Sequence, residues 1–252
     1  MKTHLIIPDQ HAHYQHSNSR ADWVGELIAD VKPDVVINIG DGWDMPSLSG
    51  YDKGKKSFQG RTYQADINAG TDFQDRLWER VRRRKRSMPR TVYCIGNHEY
   101  RITRAVEFQP ELDGAISLGD LELRNWYDTV VDYEGNTPGF IEVDGIAYGH
   151  YFISGVAGRP IGGTHPADSL ISKKHSSSTC GHLHLADWSA AKNMYNQWVM
   201  GCFVGCYQDY DSDWAGVVNK LWWRGVVIKR NVENGGYDPE FVSLERLKKL
   251  YG

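Results

Sequence analysis

Residues 91–104 read TVYCIGNHEYRITR. The stretch TVYCIGNH (91–98) reads as a strand, because its first half is β-branched or apolar throughout. Gly96 ends the apolar run, and Asn97, His98 and Glu99 follow before YRITRAVEF (100–108), which reads as the start of a helix. Three polar side chains able to hold a metal or a proton, set at the end of a buried strand, point to chemistry rather than packing. In an α/β sheet ligands bind beyond the carboxyl ends of the strands.

Outward from that stretch, the chain repeats the arrangement. HLIIPD (4–9) reads as a first buried strand, ADWVGELIADV (21–31) has helical apolar spacing, and DVVINIGD (34–41) is a second β-branched run. Strand, helix, strand predicts a parallel pair joined by a crossover. Residues 42–70 are rich in Gly, Ser and Lys and read as an irregular insertion, followed by a helix over DFQDRLWERVRRRKR (72–86). The second half alternates instead. GFIEVDGIAYGHYF (139–152) carries an Asp-Gly turn and reads as a hairpin. Strands are expected over 176–184, 197–205 and 221–231, and a final helix over SLERLKKLY (243–251). The expected architecture is α/β, two sheets with helices outside, in a single domain over 1–252. Residues 42–90 form a helical insertion that caps it.

The bulk composition agrees. The chain has 252 residues, enough for a sizeable core, with 40% hydrophobic and 24% charged side chains. A net charge of -3 and a pI near 6.4 give no global attraction to nucleic acid or to an anionic membrane. The start, MKTHLIIPDQHAH, has too short an apolar run for a signal peptide, and no run approaches the roughly 20 residues of a membrane helix, so a cytoplasmic location is expected. Cys94, Cys180, Cys202 and Cys206 form no CxxC pair and read as reduced core thiols.

The polar strand ends gather one class of residue. The first strand runs into Asp9, His11 and His13, the second into Asp41 and Asp44, the third into Asn97, His98 and Glu99. The hairpin ends at His150, and CGHLH supplies His182 and His184. Six of the ten histidines lie in these five segments. Imidazole with carboxylate and no thiolate suits divalent Mn, Fe, Zn, Ni or Co. Asp-x-His and His-x-His offer two ligands from one extended stretch, since alternate residues point the same way. Seven donors are too many for one ion and suit two.

Asp-x-His, Gly-Asp, Gly-Asn-His-Glu, a lone His and Gly-His-x-His occur in the order found in the calcineurin-like metallophosphoesterases, and the chain resembles that family over residues 9–184. The resemblance implies a two-sheet β sandwich flanked by helices, with a dinuclear metal centre. It implies Asp9, His11 and His184 as ligands of one metal, Asp41 as the bridge, and Asn97, His150 and His182 as ligands of the other. His98 resembles the non-ligand histidine that protonates the leaving oxygen, and Asp44 the carboxylate that fixes its tautomer. The implied reaction is hydrolysis of a phosphate ester by a hydroxide shared between the metals.

Other residues are read more plainly. His165 and His175 are rivals to His150, but His150 follows Gly at a strand end, as His182 does. His13 and Trp43 could touch substrate, as could Arg101 and Arg104 just past His98, and Glu99 reads as a helix cap or an acceptor behind the ligands. The phosphoprotein-phosphatase branch has Arg-Gly where Met45-Pro46 stand, which argues against a protein phosphatase. A phosphodiester or nucleotide is the expected substrate. A DNA or RNA nuclease of the repair-exonuclease type is the alternative, kept open by RVRRRKR (80–86). A non-catalytic binding module would have lost ligands, and none is lost.

Overall fold

The computed structural model describes residues 1–84 and 87–252. In chain order, β1 (Lys2–Ile7), α1 (Ser19–Val31) and β2 (Val35–Asn38) are followed by α2 (Tyr63–Arg83), β3 (Arg90–Cys94), α3 (Tyr100–Phe108) and β4 (Thr129–Val131). A short ribbon of β5 (Tyr133–Glu134) and β6 (Thr137–Pro138) leads to β7 (Phe140–Val143) and β8 (Ile146–Gly149). A second ribbon, β9 (Ile153–Ser154) with β10 (Arg159–Pro160), precedes α4 (Pro166–Lys174) and β11 (Ser178–Cys180). The chain closes with β12 (Ala186–Lys192), β13 (Trp198–Val204), β14 (Gly225–Glu233), β15 (Gly236–Ser243) and α5 (Leu244–Tyr251).

Six strands form one sheet in the order β15-β14-β1-β2-β3-β4, and five form another, β12-β13-β11-β8-β7. β1 through β4 run parallel, as the strand–helix–strand pattern predicts. Alternate residues of β1 explain the layering. Leu5 and Ile7 join the core under α1, α2 and α5, whereas Ile6 joins a second apolar cluster with Ile37 and Val92. That second cluster also contains Ile146, Tyr148, Met200 and Cys202 of the other sheet, so the two sheets meet across it. A third cluster packs Ala167 and Leu170 of α4 on Cys180 and Phe203. Strands apolar on both faces are what a helix-covered parallel sheet requires.

The hairpin forms as read, with Asp144 and Gly145 both at positive φ (52° and 81°), the backbone a two-residue reversal needs. The stretch 42–90 is corrected. Residues 63–70 are not irregular but the first turns of α2, started by Thr62, whose hydroxyl accepts from the Ala65 N–H. Nor is this stretch a separate cap: Ile67, Phe73, Leu77, Trp78 and Val81 lie in the same core as α1 and β1. The strand expected over 221–231 begins at Gly225, after a 3-10 segment Asp213–Leu221. Among the described residues no helix is long and apolar enough to cross a membrane.

Candidate metal centre

The polar residues at the ends of β1, β2, β3, β8 and β11 come together. Asp9, His11 and His184 present ligand atoms within 4.8 Å of one another, as do His11, Asp41 and His98, and likewise Asp41, His150 and His182. Asp41 Oδ2 stands at the shared corner, 3.3 Å from His150 Nε2 and 3.9 Å from both His11 Nε2 and His98 Nε2. Its other oxygen accepts from the His98 backbone N–H at 2.8 Å. Asn97 Oδ1 lies 2.9 Å from His150 Nε2 and 2.8 Å from His182 Nδ1.

The backbone is bent to achieve this. His11, Asp41, His182 and His184 all adopt positive φ, between 45° and 69°. Such conformations in residues with a Cβ cost on the order of 1–3 kcal/mol each and persist where surrounding contacts impose them. Gly181 is required for the same reason. A Cβ there would stand 2.1 Å from Asp9 Oδ1, the oxygen that occupies its place.

The hydrogen bonds behind the ring set the imidazoles. His150 Nδ1–H donates to Ile39 O at 2.9 Å, which turns Nε2 towards Asp41 and Asn97. His11 Nδ1–H donates to Asp44 Oδ1 at 2.9 Å, and its Nε2 lies 3.1 Å from His184 Nε2. Asp9 Oδ1 and His184 Nδ1 are buried with no partner among the described residues. His11 Nε2, an acceptor because Nδ1–H binds Asp44, and Asp9 Oδ2 both converge on His184 Nε2, at 3.1 and 3.2 Å. A single proton serves one such pair, whereas a cation takes lone pairs from all of them, so the donor set fits divalent metal.

Charge within the ring is divided accordingly. Burial disfavours a charged His150, but Asp41, Asp9 and Glu99 outweigh it and raise its pKa to about 9. Burial and the neighbouring His150 drive His182 down to about 4. Burial would raise Asp41, yet His150, His98 and His11 reverse that and hold it well below the usual carboxylate range.

His98 belongs to one of these clusters and is also tied to the groups behind it. Its Nδ1–H donates to the Asp44 backbone carbonyl at 2.6 Å, with Asp44 Oδ1 at 3.2 Å. Its Nε2 accepts from the Arg101 guanidinium at 3.0 Å, so one neutral tautomer satisfies both bonds. Asp44 was expected to orient His98 alone. Its carboxylate orients His11 as well, and the closest acceptor for His98 is its carbonyl.

The structure places the residues expected to touch substrate differently from one another. Trp43 does not line the site; it is fully buried, donates to Ile67 O at 3.1 Å, and packs so closely on α2 that only glycine fits at residue 70. His13 lies outside the ligand clusters, stacked on Tyr14. Arg104 is exposed and does not reach the ring, whereas Arg101 touches His98. The basic helix face is occupied: Arg76 and Arg80 pair with Asp22, Arg83 with Glu79, and Arg84 with Asp30. Lys85 and Arg86 lie outside the described residues.

Sequence reasoning assigned Glu99 only a cap or a supporting role. It caps nothing with its side chain; its carboxylate gathers the N–H groups of Asp41, Trp43 and Gly96 and the Tyr93 hydroxyl. Trp222 was not anticipated. Its ring meets His184 edge-on at 4.4 Å, a contact 38 residues away in the chain that no local pattern announces.

No protein-family profile matches the chain, and no curated protein matches it. Among solved structures, the chain is similar to Yfce, a phosphoesterase from E. coli, at 12% identity and a TM-score of 0.40, over 96% of this chain and 99% of that one.

Proposed function

We propose that this chain is a metal-dependent phosphoesterase that hydrolyses phosphodiesters or nucleotides. The reading takes the calcineurin-like metallophosphoesterases, with their two-sheet sandwich, as the family its motif order resembles. The observation that carries it is the set of three clusters of ligand atoms, two of which share Asp41, with His98 in one of them and Arg101 beside it. Asp9, His11, Asp41 and His184 would hold one ion, and Asp41, Asn97, His150 and His182 the other. Manganese suits these donors, with Fe, Zn, Ni and Co as alternatives. Bound there, the ions would neutralise charge on the phosphoryl oxygens and make water a better nucleophile at neutral pH.

The chain's own groups supply the rest. Arg101 is fixed by the Asp44 and Met45 carbonyls and offers a charge-assisted donor to a phosphoryl oxygen. Once Arg101 turns from His98 Nε2 to a phosphoryl oxygen, that nitrogen would be free to carry a proton to the leaving oxygen, and the Nδ1–H bond to Asp44 keeps the ring aimed. Water contributes the oxygen that bonds to phosphorus and the proton that ends on the leaving group. Acids of α1 pair with Arg76, Arg80 and Arg84 and Glu79 pairs with Arg83, so the phosphodiester reading does not rest on that helix. A cytoplasmic location goes with this reading.

The test is hydrolysis of bis-p-nitrophenyl phosphate, p-nitrophenyl phosphate and labelled single- and double-stranded DNA by Mn-loaded protein. The His98→Ala variant runs beside each as the control for contaminating enzyme. Diester turnover that depends on His98 supports the proposal; no turnover of any of the four substrates overturns it.

A further inference from the structure

Beside the metal centre, the segment following Met45 and the helix α3 enclose a groove of about 580 Å³. Lys53, Arg101 and Arg104 line it together with Tyr51, Phe58 and Phe108, and no acidic residue does. Arg101 belongs to both places, because the same guanidinium that lines the groove donates to His98 Nε2.

The cations of this groove lie close together on one concave surface with no acid among its lining residues. Along and just past α2, Arg76, Arg80, Arg83 and Arg84 are each matched by a carboxylate, while Arg82 reaches only the Asn125 carbonyl. Lys53, Arg101 and Arg104 have no carboxylate partner among the described residues. In a chain with net charge -3, three unmatched cations in one concave surface favour an anionic ligand there. The apolar lining has its own meaning. Tyr51 is 87% and Phe108 73% exposed, so two large aromatic faces stand in water at the groove's edge. An inorganic anion would use the cations and leave those rings idle. A flat, charged molecule uses both, by stacking and by charge-assisted hydrogen bonds. The volume lies within the range of small-molecule sites, roughly 300–1,000 Å³.

We infer that this groove binds the leaving half of the substrate, and that this half is a nucleotide. The inference rests on the phosphoesterase reading above and specifies its substrate. In the reaction, the oxygen of water bonds to phosphorus, the bond from phosphorus to the nucleotide oxygen breaks, and that oxygen takes a proton released by water. Arg101, between ring and groove, meets the scissile group, while Lys53 and Arg104 meet the second phosphate and the aromatic side chains meet the base.

Equilibrium dialysis of AMP, ribose 5-phosphate and inorganic phosphate against Mn-loaded protein tests this without turnover. AMP should bind about tenfold more tightly than ribose 5-phosphate, the contribution of one stacked base. Phe108→Ala should remove most of that advantage. Lys53→Gln combined with Arg104→Gln should weaken AMP about tenfold or more, and Arg104→Lys should retain most of the affinity. All three positions are exposed, so folding is preserved, which circular dichroism checks. Equal binding of AMP and ribose 5-phosphate, or AMP affinity unchanged in the double variant, overturns the inference. Turnover of bis-p-nitrophenyl phosphate, measured in parallel, reads the phosphoesterase proposal separately. Turnover without AMP preference defeats the groove assignment alone. AMP preference without turnover supports a nucleotide groove and defeats the catalytic reading.

Discussion

Glu99→Gln changes one atom and should damage two loops. The Glu99 side chain is fully buried, and its two oxygens take four donors. Oε2 accepts from the N–H groups of Asp41 at 3.0 Å and Gly96 at 2.8 Å. Oε1 accepts from the Trp43 N–H at 3.0 Å and the Tyr93 hydroxyl at 2.9 Å. Glutamine must place its NH2 at one of these positions. At Oε2 it confronts two backbone donors that cannot turn away. At Oε1 the Tyr93 hydroxyl can rotate and accept, so the Trp43 N–H loses its partner and the Tyr93 O–H loses its acceptor. That cheaper arrangement still leaves buried donors unsatisfied, at about 1–3 kcal/mol each. Burial and the nearby Asp41 push the Glu99 pKa up, so removing its charge returns part of this cost. A net loss of about 2 kcal/mol is the expected result.

The functional consequence follows from which loops the carboxylate joins. It ties the segment that carries Asp41 to the one that carries Asn97 and His98, so metal affinity should fall about 10–100-fold, as for other groups that support ligands. Urea unfolding in the presence of chelator measures the first effect, and calorimetric titration with Mn²⁺ measures the second. Stability within about 0.5 kcal/mol of the parent and unchanged Mn²⁺ affinity would refute the reasoning. Lower stability with unchanged affinity would make Glu99 a support of the fold alone.

Three other substitutions separate the roles assigned here. His98→Ala should retain metal by elemental analysis while losing most diester turnover, about 10²-fold or more for a lost proton carrier; loss of metal would place His98 among the ligands. Trp43→Ala should lower unfolding stability by about 3–5 kcal/mol and leave the ranking of substrates unchanged, because the ring fills a core site against α2; a change in ranking at intact stability would return it to the substrate pocket. Lys229 lies fully buried over the rings of Tyr237 and Tyr148 at 4.1 and 4.8 Å, bonded to the Thr179 hydroxyl, and burial lowers its pKa from 10.5 to about 7. The unfolded chain then binds that proton more tightly, so stability rises with pH between about 7 and 10.5. Lys229→Met should be more stable than the parent at pH 7 and should flatten that slope. Melting curves at pH 7 and 9 that show the parent's slope in the variant would count against this.

The residues that gather at the candidate centre were legible because each belongs to a short motif at a strand end, where a polar cluster interrupts an apolar run. Asp9-x-His11 and His182-x-His184 carry their meaning within three residues, although the left-handed backbone at His11, His182 and His184, rather than an extended strand, does the gathering. The hairpin at Asp144-Gly145 is equally local. What escaped depends on distance. The opening of α2 was hidden because Gly70 and the polar residues around it suggest a loop, and only the indole of Trp43 explains them. The same contact turned an expected pocket residue into core. The pairing of α2's basic face was invisible because the carboxylates lie about 54 residues away on α1. The strands β12 and β15 and the helix α4 were missed because their patterns make sense only against the strands they cover.

The most direct test of the central claim is metal stoichiometry by elemental analysis after loading with Mn²⁺ and removal of excess, on the parent and on Asp41→Asn. If Asp41 Oδ2 is the corner shared by both clusters, the parent holds two ions per chain and the variant loses both together. A parent that holds none, or a variant that keeps one ion at full occupancy and normal affinity, would contradict a dinuclear centre bridged by Asp41.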